Sequence, residues 1–169
     1  MSFRACAPAL LRRLSCFLYE GVLLFGVVMV AGFLFATITK QRHALVGTAG
    51  LQAWLFLVLG AYFVVFWTRR GQTLAMQTWQ IRLLTLDGHV VSWRRAVCRY
   101  LLAWMWFMPA LVGLRLAGLS SPAPVFSALG AGVLAYAGLA RLHPQRQFWH
   151  DAVCRTCLID SRPGAPPAP

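Results

Sequence analysis

Four apolar stretches restrict this chain to a fold that sits in a lipid bilayer. The longest covers residues 14–38 and includes LLFGVVMVAGFLFATI, and the second, residues 51–67, carries no charged side chain. Two weaker stretches follow: residues 100–119, interrupted by Pro109 and Arg115, and residues 125–142, diluted by glycines. An apolar helix of about 17–25 residues matches a hydrocarbon core about 30 Å thick. The pattern predicts four membrane-spanning helices, and the weaker pair leaves two or three crossings open.

The composition indicates that lipid, rather than water, surrounds most of the surface. Apolar residues make up 59% of the 169 residues and charged residues only 12%, whereas soluble domains carry about 25% charged residues. Sixteen Lys and Arg face only four acids, and such an excess fits cytoplasmic loops beside anionic lipid. Together with the apolar stretches, this excess of basic residues indicates that the chain binds a lipid bilayer and not a nucleic acid.

The distribution of basic residues predicts the orientation. With four crossings, thirteen of the sixteen basic residues fall on one side of the membrane, and only Lys40, Arg42 and Arg115 fall on the other. Positively charged loops resist translocation, so the side with thirteen is the cytoplasm. We therefore expect both termini in the cytoplasm.

The loop between the second and third predicted spans is patterned like a β-hairpin. The run TWQIRLLTL is rich in strand-forming residues and is followed by Asp87-Gly88 and by HVVSW, which predicts a hairpin over residues 78–93. A third strand-like run, residues 153–159, falls on the same side and could join it. The expected architecture is an all-α transmembrane four-helix bundle with a small cytoplasmic hairpin or sheet between helices two and three. Residues 1–160 form this single domain, and residues 161–169 are expected to be disordered.

Glu20 carries the clearest chemical signal because it lies about two turns inside an apolar helix. A charged side chain deep in a bilayer costs roughly 2.5–3.5 kcal/mol on insertion scales, so it faces protein, a partner or water. Arg13 precedes it by seven residues, which places both on one face of the helix, about 10 Å apart along the axis. Two interpretations stay open: a site for a proton or cation whose charge state Arg13 controls, and a structural ion pair that fixes the helix end.

Asp151 follows the fourth predicted span and is one of few acids among many arginines. We expect at least one salt bridge, with Arg13 or Arg99 as its partner, which would tie the C-terminal segment to the helix ends. The neighbouring His150 either shuttles protons or is an ordinary interfacial histidine.

Cys154 and Cys157 have the CxxC spacing of zinc and thiol redox sites. They form the only such pair, in a strand-like run that would point the two side chains to opposite faces. The nearest further ligands are His143 and His150. We therefore expect no metal and no cofactor. We also expect no enzyme, since the chain has no phosphate-binding glycine loop, no HExxH motif and no nucleophile–base pair.

Three motifs in this order resemble the RDD family of bacterial membrane proteins, which is named for one arginine and two aspartates. The family's opening arginine and the acid seven residues later correspond to Arg13 and Glu20 in RLSCFLYE. A GQT-type motif after helix two corresponds to Gly71-Gln72-Thr73 in WTRRGQTLAMQTWQIRLLTLDGHVVSWRRAVCRYL. An HD-type motif before the last strand corresponds to His150-Asp151 in FWHDAVCRTCLI.

Two departures from the family pattern accompany this resemblance. Glu20 stands where the family has its first aspartate, which keeps the charge and moves it by about one methylene. Ala75 and Met76 replace the glycine and basic residue usual after GQT. The resemblance implies a multi-pass protein of the bacterial inner membrane with a role in transport. Its functional ion-pair residues would be Arg13, Glu20 and Asp151, supported by Arg99, His150, Gly71, Gln72 and Thr73.

Two functions remain as hypotheses. The first is a small transporter or proton-coupled cation antiporter that works through Glu20, as a homo-oligomer, because four helices are few for alternating access. The second is a non-transporting subunit or assembly factor. It would hold another membrane protein through small residues of the fourth span, such as Ala128 and Gly132 or Ala131 and Ala135.

Overall fold

The computed structural model describes residues 8–40, 48–104, 108–118, 121–142 and 148–162, and it is mostly helical. The helices are α1 (Leu10–Thr39), α2 (Thr48–Arg69), α3 (Leu74–Thr78), α4 (Trp93–Trp104), α5 (Met108–Leu116), α6 (Pro122–Leu142) and α7 (Trp149–Val153); the strands are β1 (Ile81–Thr85) and β2 (Thr156–Asp160).

Helices α1 and α2, with 30 and 22 residues, are long and apolar enough to cross a bilayer. They pack against each other, and the Trp54 indole N–H donates a hydrogen bond of 3.0 Å to the Ala31 carbonyl. The outer side of α1 exposes large apolar side chains, with Val22 at 71%, Phe25 at 67% and Phe33 at 72%. An apolar surface of this extent is stable in lipid and unstable in water. The first two predicted spans thus correspond to helices suited to them.

The third and fourth predicted spans do not each form one long apolar helix. Helix α4 begins at Trp93 rather than at residue 100, and it carries three arginines within its first two turns. Helix α5 has only nine residues. Helix α6 has 21 residues, but its strongly apolar part, Ala123–Ala135, is shorter. Within the described ranges, therefore, two helices and not four meet the length and composition of a membrane span.

The predicted hairpin over residues 78–93 is wrong, although its first strand forms. Strand β1 pairs with β2 in an antiparallel two-stranded sheet, in which Ile81 lies opposite Asp160 and Thr85 opposite Thr156. After β1 the chain turns, and the Thr85 amide donates to the His89 carbonyl at 2.8 Å. Helix α4 begins only four residues later, which leaves too few residues for a second strand. The strand-like run predicted at 153–159 supplies the partner instead.

A buried core lies at one end of the long helices, where α1 begins and α2 ends. The side chains of Ile81, Leu83 and Val91 are at most 2% exposed and pack with Ala75 and Ala96 of α3 and α4. This core holds the two-stranded sheet against the ends of α1 and α2. It thereby also positions the buried polar side chains of this region, such as Arg13, Thr73 and Asp151.

The first two residues of the tail that is predicted to be disordered make contacts: the Ser161 amide donates to the Gln80 carbonyl at 2.9 Å, and Arg162 pairs with Asp160 at 2.6 Å. The rest of that tail, residues 163–169, lies outside the described residues.

Gly71 forms a tight turn between α2 and α3. Its φ is 66°, a left-handed conformation, and its carbonyl accepts a hydrogen bond of 2.7 Å from the Leu83 amide. A Cβ added at this position would lie 2.6 Å from the Leu83 carbonyl oxygen. The turn therefore requires glycine for both its backbone angle and its close contact with β1.

We expect Gly71→Ala to destabilise the protein by about 1–3 kcal/mol, because alanine is strained at positive φ and its methyl group meets Leu83. The measurement is the melting temperature in detergent. Gly118→Ala is the matched control, since Gly118 also has a positive φ, 68°, but nothing lies within 4 Å of an added Cβ. Equal losses in the two variants would show that the contact with Leu83 does not matter.

Candidate functional site

One side of α1 turns inward at the N-terminal end of the helix and carries Arg13, Cys16 and Glu20. Spacings of three and seven residues place these side chains on one helical face. On the opposite side, Leu18 is 68% exposed. A basic and an acidic side chain thus enter the protein interior from the same face, which the spacing in the sequence predicts.

Glu20 is 7% exposed, and two hydroxyl groups hold its carboxylate. The Tyr62 hydroxyl of α2 donates to Oε1 at 2.8 Å, and the Thr73 hydroxyl donates to Oε2. Hydrogen bonds to a charged group are stronger than neutral ones, and a buried carboxylate needs such partners. Glu20 therefore joins α1 to α2 and to the start of α3.

Thr73 links the GQT residues directly to this carboxylate. Its side chain is fully buried, and its hydroxyl also accepts a hydrogen bond of 3.2 Å from the Met76 amide as the N-cap of α3. The neighbouring Gln72 amide donates to the Ile81 carbonyl at 3.0 Å. The motif thus shapes the turn before α3 and also contributes one hydrogen-bond donor to the Glu20 carboxylate.

Tyr62 was not singled out from the sequence, although a signal was present. It supplies the only hydroxyl group in residues 51–67, a stretch without charge. A hydroxyl group in a mostly apolar helix tends to face a polar partner. Here that partner is Glu20.

Asp151 and Arg99 form a buried ion pair. Arg99 Nε lies 2.6 Å from Asp151 Oδ1, and the guanidinium of Arg99 stacks over the Trp67 ring with Cζ 4.3 Å from its centroid. Asp151 is fully buried, and the Thr156 hydroxyl lies 3.4 Å from the same Oδ1. Arg99, one of the two partners expected from the sequence, pairs with Asp151, and the pair connects α4 to α7.

The pKa of the Asp151 carboxyl is below its usual range. Burial opposes ionisation, but the nearby charges and hydrogen bonds, chiefly those of Arg99, outweigh this effect. Burial also lowers the pKa of His150 to about 4, more than the adjacent Asp151 raises it. A histidine with this pKa is neutral near pH 7, which argues against a proton shuttle at that pH.

The C-terminal segment makes two further contacts with α1. The guanidinium of Arg13 lies over the Phe148 ring, with Cζ 4.9 Å from the centroid. Arg12 pairs with Asp160 at 2.6 Å. A hydrogen bond from Arg162 is the largest cause of a pKa of Asp160 well below its usual range; burial opposes it, and the hydrogen bond from Arg12 lowers the pKa further. Asp160 was not predicted to have a role, since its position in a strand-like run gave no signal.

Cys154 and Cys157 are both buried, and Cys154 ends α7 while Cys157 lies in β2. Burial raises the pKa of both thiols, that of Cys154 to about 12. Burial therefore disfavours the thiolate, which is the form of cysteine that takes part in thiol exchange. Across the described parts of the chain, no three His, Cys, Asp or Glu side chains form a metal-binding group; His143 lies outside those parts.

A cavity of about 430 Å³ lies beside the inward face of α1. Its walls are mostly apolar and come from α1, α2, α3, α4, α6, α7 and the two-stranded sheet. Three charged side chains line it, together with five that carry a hydroxyl group or a ring N–H: Arg13, Glu20, Arg99, Trp67, Thr73, Tyr100, Trp104 and His150. The arrangement brings the buried carboxylate to the wall of a space large enough for a ligand.

In a comparison with protein families, the model of the RDD family matches residues 7–155, most of the chain. Neither a curated protein nor a solved structure gives a significant match.

Proposed function

This chain belongs to the RDD family, and from that premise we propose that it is a small transporter in which Glu20 alternately holds a proton and a cation. It is a membrane protein with two helices, α1 and α2, suited to crossing a bilayer. The proposed location is the bacterial inner membrane. The reaction would couple the movement of a proton in one direction to that of a cation in the other.

We further propose four crossings with both termini in the cytoplasm. The region of α4 and α5 would form the third crossing and α6 the fourth, although each helix alone is shorter or less apolar than α1. This arrangement leaves the arginine-rich ends and the loop before α4 on the cytoplasmic side. A homo-oligomer would supply the further helices that alternating access requires.

The observation that carries the proposal is the position of Glu20. A carboxylate inside an apolar helix is costly and tends to mark a proton or ion pathway. Here it lines a cavity and is held by hydroxyl donors that can also accept hydrogen bonds when the carboxyl group is protonated. The same two partners can therefore accommodate both states of Glu20, which an exchange mechanism needs.

Arg99 and Asp151 have a different role in this proposal. They form an ion pair at 2.6 Å that holds the C-terminal segment in place, and in this proposal the pair stabilises the site without exchanging a proton. Arg13 closes the same end of the cavity through its contact with Phe148.

The proposal predicts that Glu20→Gln abolishes exchange. The chain would be reconstituted in vesicles containing a pH-sensitive dye, and gradients of sodium, potassium and a quaternary ammonium ion would be applied in turn. We expect at least one cation to drive proton movement, and we expect Glu20→Gln to reduce it to the level of protein-free vesicles because glutamine cannot release a proton. Glu20→Asp should retain part of the activity, because it retains the carboxylate.

Asp87→Asn is the control for this experiment, since Asp87 is exposed in the turn after β1 and is not part of the cavity lining. Glu20→Gln that keeps full proton movement in folded, correctly inserted protein would rule out Glu20 as the exchange site.

A second candidate function is a non-transporting subunit or assembly factor, and one observation favours it. Helix α6 exposes a row of small residues: Gly130, Ala131, Ala135 and Gly138. A Cβ added at Gly130 or at Gly138 meets nothing within 4 Å, so another helix could approach closely. Purification in mild detergent without any stable partner protein would count against this function.

A further inference from the structure

We infer that the cation accepted by the cavity beside α1 is a hydrophobic organic cation rather than a bare alkali-metal ion. The inference rests on the proposed exchange at Glu20 and names the chemical class of its substrate. Three features of the cavity carry it: the apolar walls, the aromatic faces and the single acidic side chain.

The size and lining of the cavity fit an organic molecule. Its volume of about 430 Å³ falls within the roughly 300–1,000 Å³ typical of small-molecule sites, which are mostly apolar with a few polar groups. A bare metal cation instead requires several oxygen ligands around one point. The described oxygens near Glu20 are poorly placed for that task, because the Thr73 hydroxyl already donates to Glu20 and accepts from Met76.

Aromatic side chains form much of the wall. Phe63, Tyr100 and Trp104 line the cavity, with ring centroids 6.1 Å apart for Phe63 and Tyr100 and 6.2 Å apart for Tyr100 and Trp104. Aromatic faces attract organic cations and are the usual means of recognising quaternary ammonium groups. Two other lining rings, Trp67 and Phe148, already hold the guanidinium groups of arginines in this way.

The charges around the cavity favour a cation beside Glu20. Among the described residues of the lining, Glu20 is the only acid. The charge of Arg99 is neutralised by Asp151 at 2.6 Å. Arg13 stands seven residues before Glu20, about 10 Å away along α1, and its guanidinium is engaged with Phe148. A ligand cation beside Glu20 would thus face one carboxylate, while Asp151 offsets the charge of Arg99 and Phe148 holds the guanidinium group of Arg13.

Gly21 provides a way to fill this space without disturbing the protein. It lines the cavity, and a Cβ added there meets nothing within 4 Å. Gly32 is the matched control on the same helix: its added Cβ also meets nothing within 4 Å, but it does not line the cavity. Glycine-to-leucine substitutions at the two positions differ chiefly in whether the leucine occupies the ligand's place.

The test measures binding of tetraphenylphosphonium and of tetraphenylborate, which have the same shape and opposite charge. The full chain would be placed in lipid nanodiscs, and calorimetric titrations would be corrected with empty nanodiscs. We expect tetraphenylphosphonium to bind at one saturable site per chain and tetraphenylborate to bind at least about tenfold more weakly. Excess sodium should not displace the cation.

The variants sharpen the expectation. Gly21→Leu should weaken binding of tetraphenylphosphonium by about tenfold or more, and Gly32→Leu by no more than about twofold. Glu20→Gln should also weaken it, because the charge that attracts the cation is gone.

Four results would overturn the inference: no saturable binding of tetraphenylphosphonium, equal binding of the two probes, displacement by sodium, or equal effects of the two leucine variants. A co-purified lipid or a second copy of the chain that fills the cavity would leave no room for the probe, and no saturable binding of tetraphenylphosphonium would then be observed. Glu20-dependent proton movement driven only by sodium or potassium would leave the proposed exchange standing and reject the organic cation. Saturable binding of the cation without any proton movement would reject the proposed exchange, while the inferred binding site for an organic cation would stand.

Discussion

Replacing Asp151 with alanine is expected to destabilise the protein by about 3–5 kcal/mol, because removal of one member of a buried ion pair leaves the other charge without compensation. Asp151 is fully buried, and its Oδ1 lies 2.6 Å from Arg99 Nε. Arg99 is itself only 7% exposed, so water cannot replace the lost carboxylate without rearrangement. The expected observation is a large fall in the melting temperature of the detergent-solubilised protein.

Two further variants test the physical reason for this effect. Asp87→Asn removes an exposed acid and should leave the melting temperature nearly unchanged. The double variant Arg99→Met/Asp151→Leu should be more stable than Asp151→Ala, because apolar side chains of similar size avoid the cost of an unpaired buried charge. An Asp151→Ala protein as stable as Asp87→Asn would show that the ion pair does not hold α7 against α4.

The double variant also separates structure from transport. If Arg99 and Asp151 only hold the C-terminal segment, a folded protein without either charge should keep Glu20-dependent proton movement. Loss of that movement in a protein that melts normally would instead place the pair on the transport path. The proposed division of roles between Glu20 and Asp151 therefore depends on this single comparison.

The long helices could be predicted because the thickness of a bilayer sets their length. Residues 14–38 and 51–67 of the predicted spans fall within α1 and α2. The third and fourth spans are harder to predict. Helix α4, for example, combines an arginine-rich start with apolar residues, so its sequence is typical of neither a membrane span nor a loop. The hairpin failed for another reason. A turn at Asp87-Gly88 shows where the chain reverses, but strand pairing depends on contacts with β2, about 75 residues further along.

The site could be predicted only along a single helix. Periodicity is enough to place Arg13 and Glu20 on one face of α1. It cannot identify the groups that meet Glu20 from other elements, and both are distant in the chain: Tyr62 is 42 residues away and Thr73 is 53 residues away. The resemblance to the family implies that Thr73 is a supporting residue. The fold shows how: its hydroxyl group donates to Glu20 and accepts from the Met76 amide. Likewise, the sequence predicts a salt bridge for Asp151 but leaves Arg13 and Arg99 as alternative partners, because Arg99 lies 52 residues away in the chain.

Thr73→Val is expected to destabilise the protein by about 2–5 kcal/mol, although the two side chains have nearly the same shape. The loss combines an N-cap, about 0.5–2 kcal/mol, with a hydrogen bond to a charged group, about 1.5–3 kcal/mol. The Thr73 hydroxyl makes both contacts, to the Met76 amide and to Glu20, and its side chain is fully buried. The effect should appear as a lower melting temperature in detergent.

Thr73→Ser distinguishes the hydroxyl group from the packing of the methyl group. Serine keeps both hydrogen bonds and loses one buried methyl group, which costs about 1 kcal/mol, so its melting temperature should lie much closer to that of the wild type. Tyr62→Phe removes only the hydrogen bond to Oε1 and should fall between the two. If serine were as damaging as valine, packing around Thr73 would be the cause and the hydroxyl group would not be what connects the GQT turn to Glu20. If serine restores the protein, the turn after α2 and the carboxylate in α1 form one hydrogen-bonded unit, and the state of Glu20 can be transmitted to the start of α3.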